Sequence, residues 1–329
     1  MSEGKNEKIM GQRKPDERTP DAGGASAPIV RTAICGMGAL GMMYGGRIED
    51  NLGPESVTYL MDPERAKRHR KDTYTINGEK RSFRISEYGE CGVFDLVILA
   101  VKYGSMREAV REMEPAVRAD TVLVSVMNGI ESEACLAERY DRTHIITSVA
   151  LGMDAMRKGT ALTYTKFGKL QIGALESSQR ESLKRLTDFF ERAGVTYEVS
   201  EDVLHTMWNK FMLNVGLNQA ITAYEADYSI VLSPGPVHEE MLRAMREVSS
   251  IAEKRGIRLT EEDIRRDLQI AGTLDPKAYP SMRQDVLAGR KTEVDMFAGK
   301  VIELGREYGI PTPVNEKYFR KIREIEKAF

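Results

Sequence analysis

Short β-prone runs alternate with helical periodicity from residue 29, and from residue 201 the helical period stands alone. Ile29–Cys35, Val57–Met61, Phe94–Val101, Thr121–Val126 and His144–Ala150 read as strands. Phe94–Val101 and Thr121–Val126 are continuous apolar runs, the signature of strands buried on both faces in a parallel sheet. Ala161–Thr165 and Lys169–Gly173 predict a hairpin turning through Lys166–Gly168. A helix over 178–193 and a short strand at 195–199 complete this half. Beyond it, helices are predicted over 201–223, 236–254, 260–271, 280–288, 292–308 and 313–327. Thr260 with Asp263 resembles a capping box, Gly256 and Gly309 stop helices, and Pro311 and Pro313 bar continuation. An α/β half followed by an all-α half is the resulting organisation.

Between the first strand and the helix after it lies Gly36-Met37-Gly38-Ala39-Leu40-Gly41. In that strand–turn–helix setting the G-x-G-x-x-G spacing is a dinucleotide fingerprint: Gly36 for the tight turn, Gly38 for close approach of a pyrophosphate to the helix N-terminus, Gly41 for helix–strand packing. The expected fold is therefore a Rossmann-type dinucleotide-binding domain over 29–200 and an all-helical domain for substrate and dimerisation over 201–329, with a ligand cleft between them. Asp62 ends the second strand where a carboxylate would take ribose hydroxyls and favour NAD(H), although Arg65, Lys67 or Arg68 could reverse that preference. Asp62 is equally placed to cap the helix that begins at Pro63. Lys102 and Asn128 follow two buried strands, so both belong to the rim beyond the strands' carboxyl ends where ligands bind.

In the helical half, Lys210, Asn214 and Asn218 recur every four residues and, at about 100° per residue, form one polar stripe. Trp208, Phe211, Met212, Val215 and Leu217 surround it, too much apolar surface for a free-standing helix. An ammonium aligned with two amides suits a ligand rich in oxygens, and partial desolvation would lower the lysine pKa toward catalytic use. Read alone, the stripe also fits a lysine that snorkels to water beside two structural amides. Ser281 opens one helix and Thr292, Glu293 and Asp295 open another, positions that suit a bound carboxylate or simple capping.

Composition narrows the classes of function. Apolar residues make up 41% of the chain and charged residues 30%, with 48 basic against 50 acidic side chains, so no net field favours nucleic acid or an anionic membrane. No apolar run approaches a membrane span. Three scattered cysteines and four unpaired histidines offer neither a disulfide framework nor a metal ligand set, which fits a cytoplasmic protein without a bound metal. Residues 1–28, rich in charge, Pro, Gly and Ser, read as a disordered tail.

Together these motifs resemble the ketopantoate reductase (2-dehydropantoate 2-reductase) family: Gly36-x-Gly38-Ala39-Leu40-Gly41, Lys102, Asn128-Gly129, Trp208-x-Lys210-x-x-x-Asn214-x-x-x-Asn218, Ser281-Met282-x-Gln284-Asp285 and Thr292-Glu293-x-Asp295. The match spans about 29–327 in order and spacing. The resemblance implies reduction of the 2-oxo group of ketopantoate to pantoate in pantothenate and coenzyme A biosynthesis, usually with NADP(H). It further implies that Gly36, Met37, Gly38, Ala39, Leu40, Gly41, Lys102, Asn128, Ala155 and Glu293 contact the dinucleotide, joined by Asp62 on the reading above. Lys210, Asn214, Asn218 and Ser281, again with Asn128, would hold the substrate, Lys210 being the proton donor. The sequence departs from the family at Asp62, where a basic residue is often found, and near Tyr228, where a further asparagine is expected. Two other readings stand beside this one: reduction of another branched 2-oxo acid, and a non-catalytic dinucleotide-binding protein. A homodimer is allowed by the sequence but not required.

Overall fold

The computed structural model describes residues 27–329; most of the expected N-terminal tail lies outside the described residues. Strands β1 (Thr32–Cys35) and β2 (Val57–Met61) flank helix α1 (Ala39–Leu52), and helix α2 (Pro63–His69) follows β2. Next come β3 (Tyr74–Ile76), β4 (Glu79–Arg81), β5 (Ile85–Glu87), β6 (Leu96–Leu99), helix α3 (Met106–Glu112), β7 (Val122–Ser125), helix α4 (Ser132–Ala137) and β8 (Ile145–Leu151). This half ends with β9 (Met156–Lys158), β10 (Ala161–Thr163), β11 (Lys169–Gly173), helix α5 (Arg180–Arg192) and β12 (Tyr197–Val199). The main sheet has the order β12-β11-β8-β7-β6-β1-β2-β5 and is parallel except where β8 meets β11. Its central strands are buried on both faces, as their unbroken apolar runs require.

The predicted hairpin does not form. β10 joins a separate four-stranded sheet, β4-β3-β10-β9, whereas β11 pairs antiparallel with β8. The two strands differ in what they can bury. β11 sinks Leu170, Ile172 and Gly173 into the main core, while β10 has only Leu162 to offer. The connection between them is fixed by Asp154, whose carboxylate accepts from the Thr165 and Lys166 backbone N–H groups at 2.9 and 2.7 Å.

The second half is helical: α6 (Val203–Leu213), α7 (Gln219–Ala223), α8 (Tyr228–Leu232), α9 (Pro236–Lys254), α10 (Glu261–Ala271), α11 (Ser281–Leu287), α12 (Lys300–Tyr308) and α13 (Pro313–Glu326). Thr260 and Asp263 form the expected reciprocal capping box at α10. Two predicted helices are each interrupted by a π turn, at Asn214–Asn218 and at Asp295–Gly299. Phe211, Met212, Val215 and Tyr228 lie in the helical core with Met245, Phe297 and Tyr318. The halves meet where Val149 of β8 packs on Val203 and Met207 of α6, so α6 is buried from both sides. No helix among the described residues is long and apolar enough to cross a membrane, and no group of three or more potential metal ligands occurs among them.

Candidate active site

A cleft of about 690 Å³ runs from the N-terminus of α1, across the carboxyl ends of β6, β7 and β8, to α6 and α11. Its floor at one end is the glycine-rich turn. Gly36 has φ +107°, and a Cβ there would lie 2.6 Å from the Ala100 carbonyl oxygen. At Gly41 an added Cβ would meet the Gly36 carbonyl oxygen at 2.1 Å, so both positions exclude any side chain. No side chain caps the start of α1 and its first turn holds no acidic residue, which leaves its N–H groups and dipole for an anion. That is the fit a dinucleotide pyrophosphate requires.

At the other end, Lys210 donates to Asn128 Oδ1 at 3.0 Å and to the Ala150 carbonyl at 2.6 Å. Two of its three N–H groups are thereby fixed, and the third remains for a ligand oxygen. Asn128 in turn donates to Glu293 Oε2 at 3.3 Å, so the loop after strand β7, helix α6 and the segment just before the Asp295–Gly299 turn are joined by one polar chain across the domain boundary. The lysine is half-buried, and desolvation pushes its pKa down to about 8, Glu293 opposing part of that fall.

The structure gathers most of the residues singled out in the sequence. Gly36, Met37, Gly38, Ala39, Leu40, Lys102, Asn128, Ala155, Lys210, Asn214, Ser281 and Glu293 all line the cleft. Three do not. Gly41 packs beneath the turn, and Asn218 is buried behind Asn214, donating to its Oδ1 at 3.2 Å. Asp62 takes the alternative reading: its Oδ1 accepts from Arg65 N at 2.9 Å as the cap of α2, and its Oδ2 pairs with Arg65 Nε at 3.2 Å. Lys102 faces the cleft but is paired with Asp285 at 2.9 Å, and Asp285 also holds Arg290 at 2.8 Å. Tyr228 is 8% exposed in the helical core and does not reach the cleft.

Sequence reasoning did not find Arg157, His69 or Leu213, which also line the cleft. His69 bonds the Tyr74 hydroxyl, and burial together with Arg157 and Arg68 lowers its pKa. Arg157 belongs to β9, a strand that no periodicity announced.

Comparison with known proteins agrees with this geometry. Residues 32–177 match the family described as ketopantoate reductase PanE/ApbA, and residues 202–326 match its C-terminal counterpart. The 2-dehydropantoate 2-reductase of Halobacterium salinarum is 26% identical over 292 residues, covering 87% of this chain and 95% of the relative. Among solved structures, a D-mandelate dehydrogenase in complex with NADH and anilino(oxo)acetate superposes with a TM-score of 0.80 at 20% identity, covering 91% of this chain and 99% of the other. A dimeric ketopantoate reductase from Staphylococcus aureus gives 0.75 at 17% identity with the same coverages, and at these identities both structures establish the fold alone. With both halves matched in order and the lysine, asparagine and glutamate joined across the cleft, the chain belongs to the ketopantoate reductase family of nicotinamide-dependent oxidoreductases.

Proposed function

We propose that the protein reduces ketopantoate to pantoate, with Lys210 as the general acid. The observation that carries this reading is the half-buried ammonium, fixed by Asn128 and the Ala150 carbonyl at one end of a cleft that begins at a dinucleotide-type glycine turn. A bound reduced nicotinamide would supply hydride to the substrate's carbonyl carbon. Lys210 stabilises the charge that grows on the oxygen and delivers a proton to it, and a pKa near 8 suits that task at neutral pH. Asn128 orients the lysine, Glu293 holds Asn128, and Asn214 adds an amide to the same wall. Ser281, exposed at the start of α11 on the facing wall, serves the substrate carboxylate. Asn218 acts by fixing Asn214. The domain division behind these roles is 29–200 and 201–329.

For the cofactor, NADP(H) is the better supported form. Asp62 is committed to α2 and Arg65, whereas Arg65, Arg68 and Arg157 line the adenosine end of the cleft. Gly36 to Leu40 would receive the pyrophosphate, and Lys102 would turn from Asp285 toward the dinucleotide, as its 67% side-chain exposure allows. Assembly as a homodimer completes the reading. The Staphylococcus aureus relative is dimeric, and Ile230, Ile270, Leu274 and Tyr279 are exposed apolar residues of the helical half. Light scattering of the purified protein tests the assembly.

The decisive measurement is turnover of ketopantoate with NADPH and with NADH side by side, in wild type and in Asp62→Arg. Oxidation of neither cofactor by a folded, nucleotide-binding protein rules out ketopantoate, and a panel of branched 2-oxo acids then identifies the substrate. Faster turnover with NADH than with NADPH overturns the cofactor choice.

A further inference from the structure

Arg157 is an arginine on the inward face of a strand. β9 pairs antiparallel with β10 so that Arg157 lies opposite Leu162, which is fully buried against α1. Directly opposed residues share a face, so Arg157 points inward while Met156 and Lys158 face solvent. Its Nη1 donates to the Met37 carbonyl of the glycine turn and its Nε to the Gly159 carbonyl at 2.8 Å. Among the described residues it has no salt-bridge carboxylate partner, and Arg65 and Arg68, which line the same cleft, add to the local positive charge, while the adjoining His69 is held toward its neutral form. Asp72 and Tyr74, the acidic groups whose charge acts on it, are engaged with each other, the Tyr74 hydroxyl donating to Asp72 at 3.1 Å. A half-buried guanidinium in such surroundings is short of an anion.

We propose that Arg157 is a dinucleotide-binding residue: carried by the small sheet, it braces the glycine turn through Met37 and presents its remaining N–H groups to a phosphate oxygen of the bound dinucleotide. This deepens the nicotinamide-dependent reading and rests on it. A guanidinium with N–H groups left over after two backbone carbonyls is suited to a phosphate, which neither carbonyl can neutralise. The small sheet thereby acquires a function, since β3 and β10 lie on α1 and set how far β9 reaches over the turn.

The test is equilibrium titration of NADPH and of NADH by fluorescence on full-length protein, with Arg157→Ala, Arg157→Gln and Arg157→Lys. Arg157→Gln places an amide N–H at the Nε position, which keeps the bond to the Gly159 carbonyl but removes the charge and the reach to Met37, while Arg157→Lys keeps the charge without the fork, so the pair separates charge from bracing. The expected result is a rise in Kd of about ten- to a hundredfold in Arg157→Gln and Arg157→Ala, with Arg157→Lys recovering most of it, at unchanged circular dichroism. Equal losses for the two nucleotides assign the contact to the pyrophosphate. A loss confined to NADPH assigns it to the 2′-phosphate. Wild-type affinity of Arg157→Gln for both nucleotides overturns the proposal, whereas a wild-type protein that binds neither would instead remove the nicotinamide reading beneath it.

Discussion

At the scale of single residues, Lys210 and Gly41 carry the sharpest consequences. Replacing Lys210 with Ala removes the proton donor and should lower kcat by about two to four orders of magnitude, measured by NADPH oxidation at saturating substrate. The pH profile gives an independent reading. Lys210 must be protonated to act as an acid and its pKa is pushed down to about 8, so kcat/KM for reduction should fall as pH rises through that value. Oxidation of the alcohol, where the neutral amine acts as base, should rise over the same interval. A flat profile between pH 7 and 9 would take the lysine out of the proton transfer. Gly41→Ala forces a methyl group to 2.1 Å from the Gly36 carbonyl, so the turn must shift. The expected cost is about 1–3 kcal/mol in chemical denaturation, together with loss of dinucleotide affinity.

At the scale of elements, the two π turns lie against each other and are tied by one side chain. Gln219, fully buried, donates to the Val215 carbonyl at 2.8 Å inside one π turn and accepts from Ala298 N at 2.9 Å inside the other. One side chain thus satisfies backbone groups of both interruptions and holds the segment bearing Lys210 and Asn214 against the one following Glu293. Gln219→Leu would leave these groups and Asn315 Oδ1, which Gln219 also contacts at 3.1 Å, without their partner. A loss of about 2–4 kcal/mol in urea unfolding is expected, with kcat reduced more than KM is raised. A change below about 0.5 kcal/mol would mean that the two turns hold themselves. Gly216 belongs to the same device, because a Cβ there would lie 2.3 Å from Met245 Cγ and push α9 away.

At the scale of the whole molecule, the ion pair from Lys102 to Asp285 crosses between the halves. Asp285 is buried and retains Arg290, while the Lys102 side chain is 67% exposed, so the bridge contributes little to stability. Lys102→Ala should therefore change unfolding free energy by less than about 1 kcal/mol while raising the KM for the dinucleotide. A large loss of stability with unchanged KM would make Lys102 a structural latch.

Much of this architecture was legible in the chain because local rules dictate it. Short unbroken apolar runs rich in Val, Ile and Leu became central strands, glycines at fixed offsets mark the nucleotide turn, and Thr260 with Asp263 caps a helix from within one turn. The polar residues around Lys210 were legible for a different reason: their types and spacing match a family, not a periodicity. What the sequence left undecided depends on partners distant along the chain. Asp62 could serve a ribose or a helix with equal local logic, and the structure shows its carboxylate capping α2 and paired with Arg65. The hairpin failed because β11 finds more apolar surface beside β8 than beside β10. Asn218 stays beside Asn214 but is buried behind it, and how deeply the end of the stripe sinks into the helical core depends on packing that a count by fours does not carry. Arg157 is the extreme case: nothing in Met156-Arg157-Lys158 marks it, and only the pairing of β9 with β10 turns that arginine inward over the glycine turn.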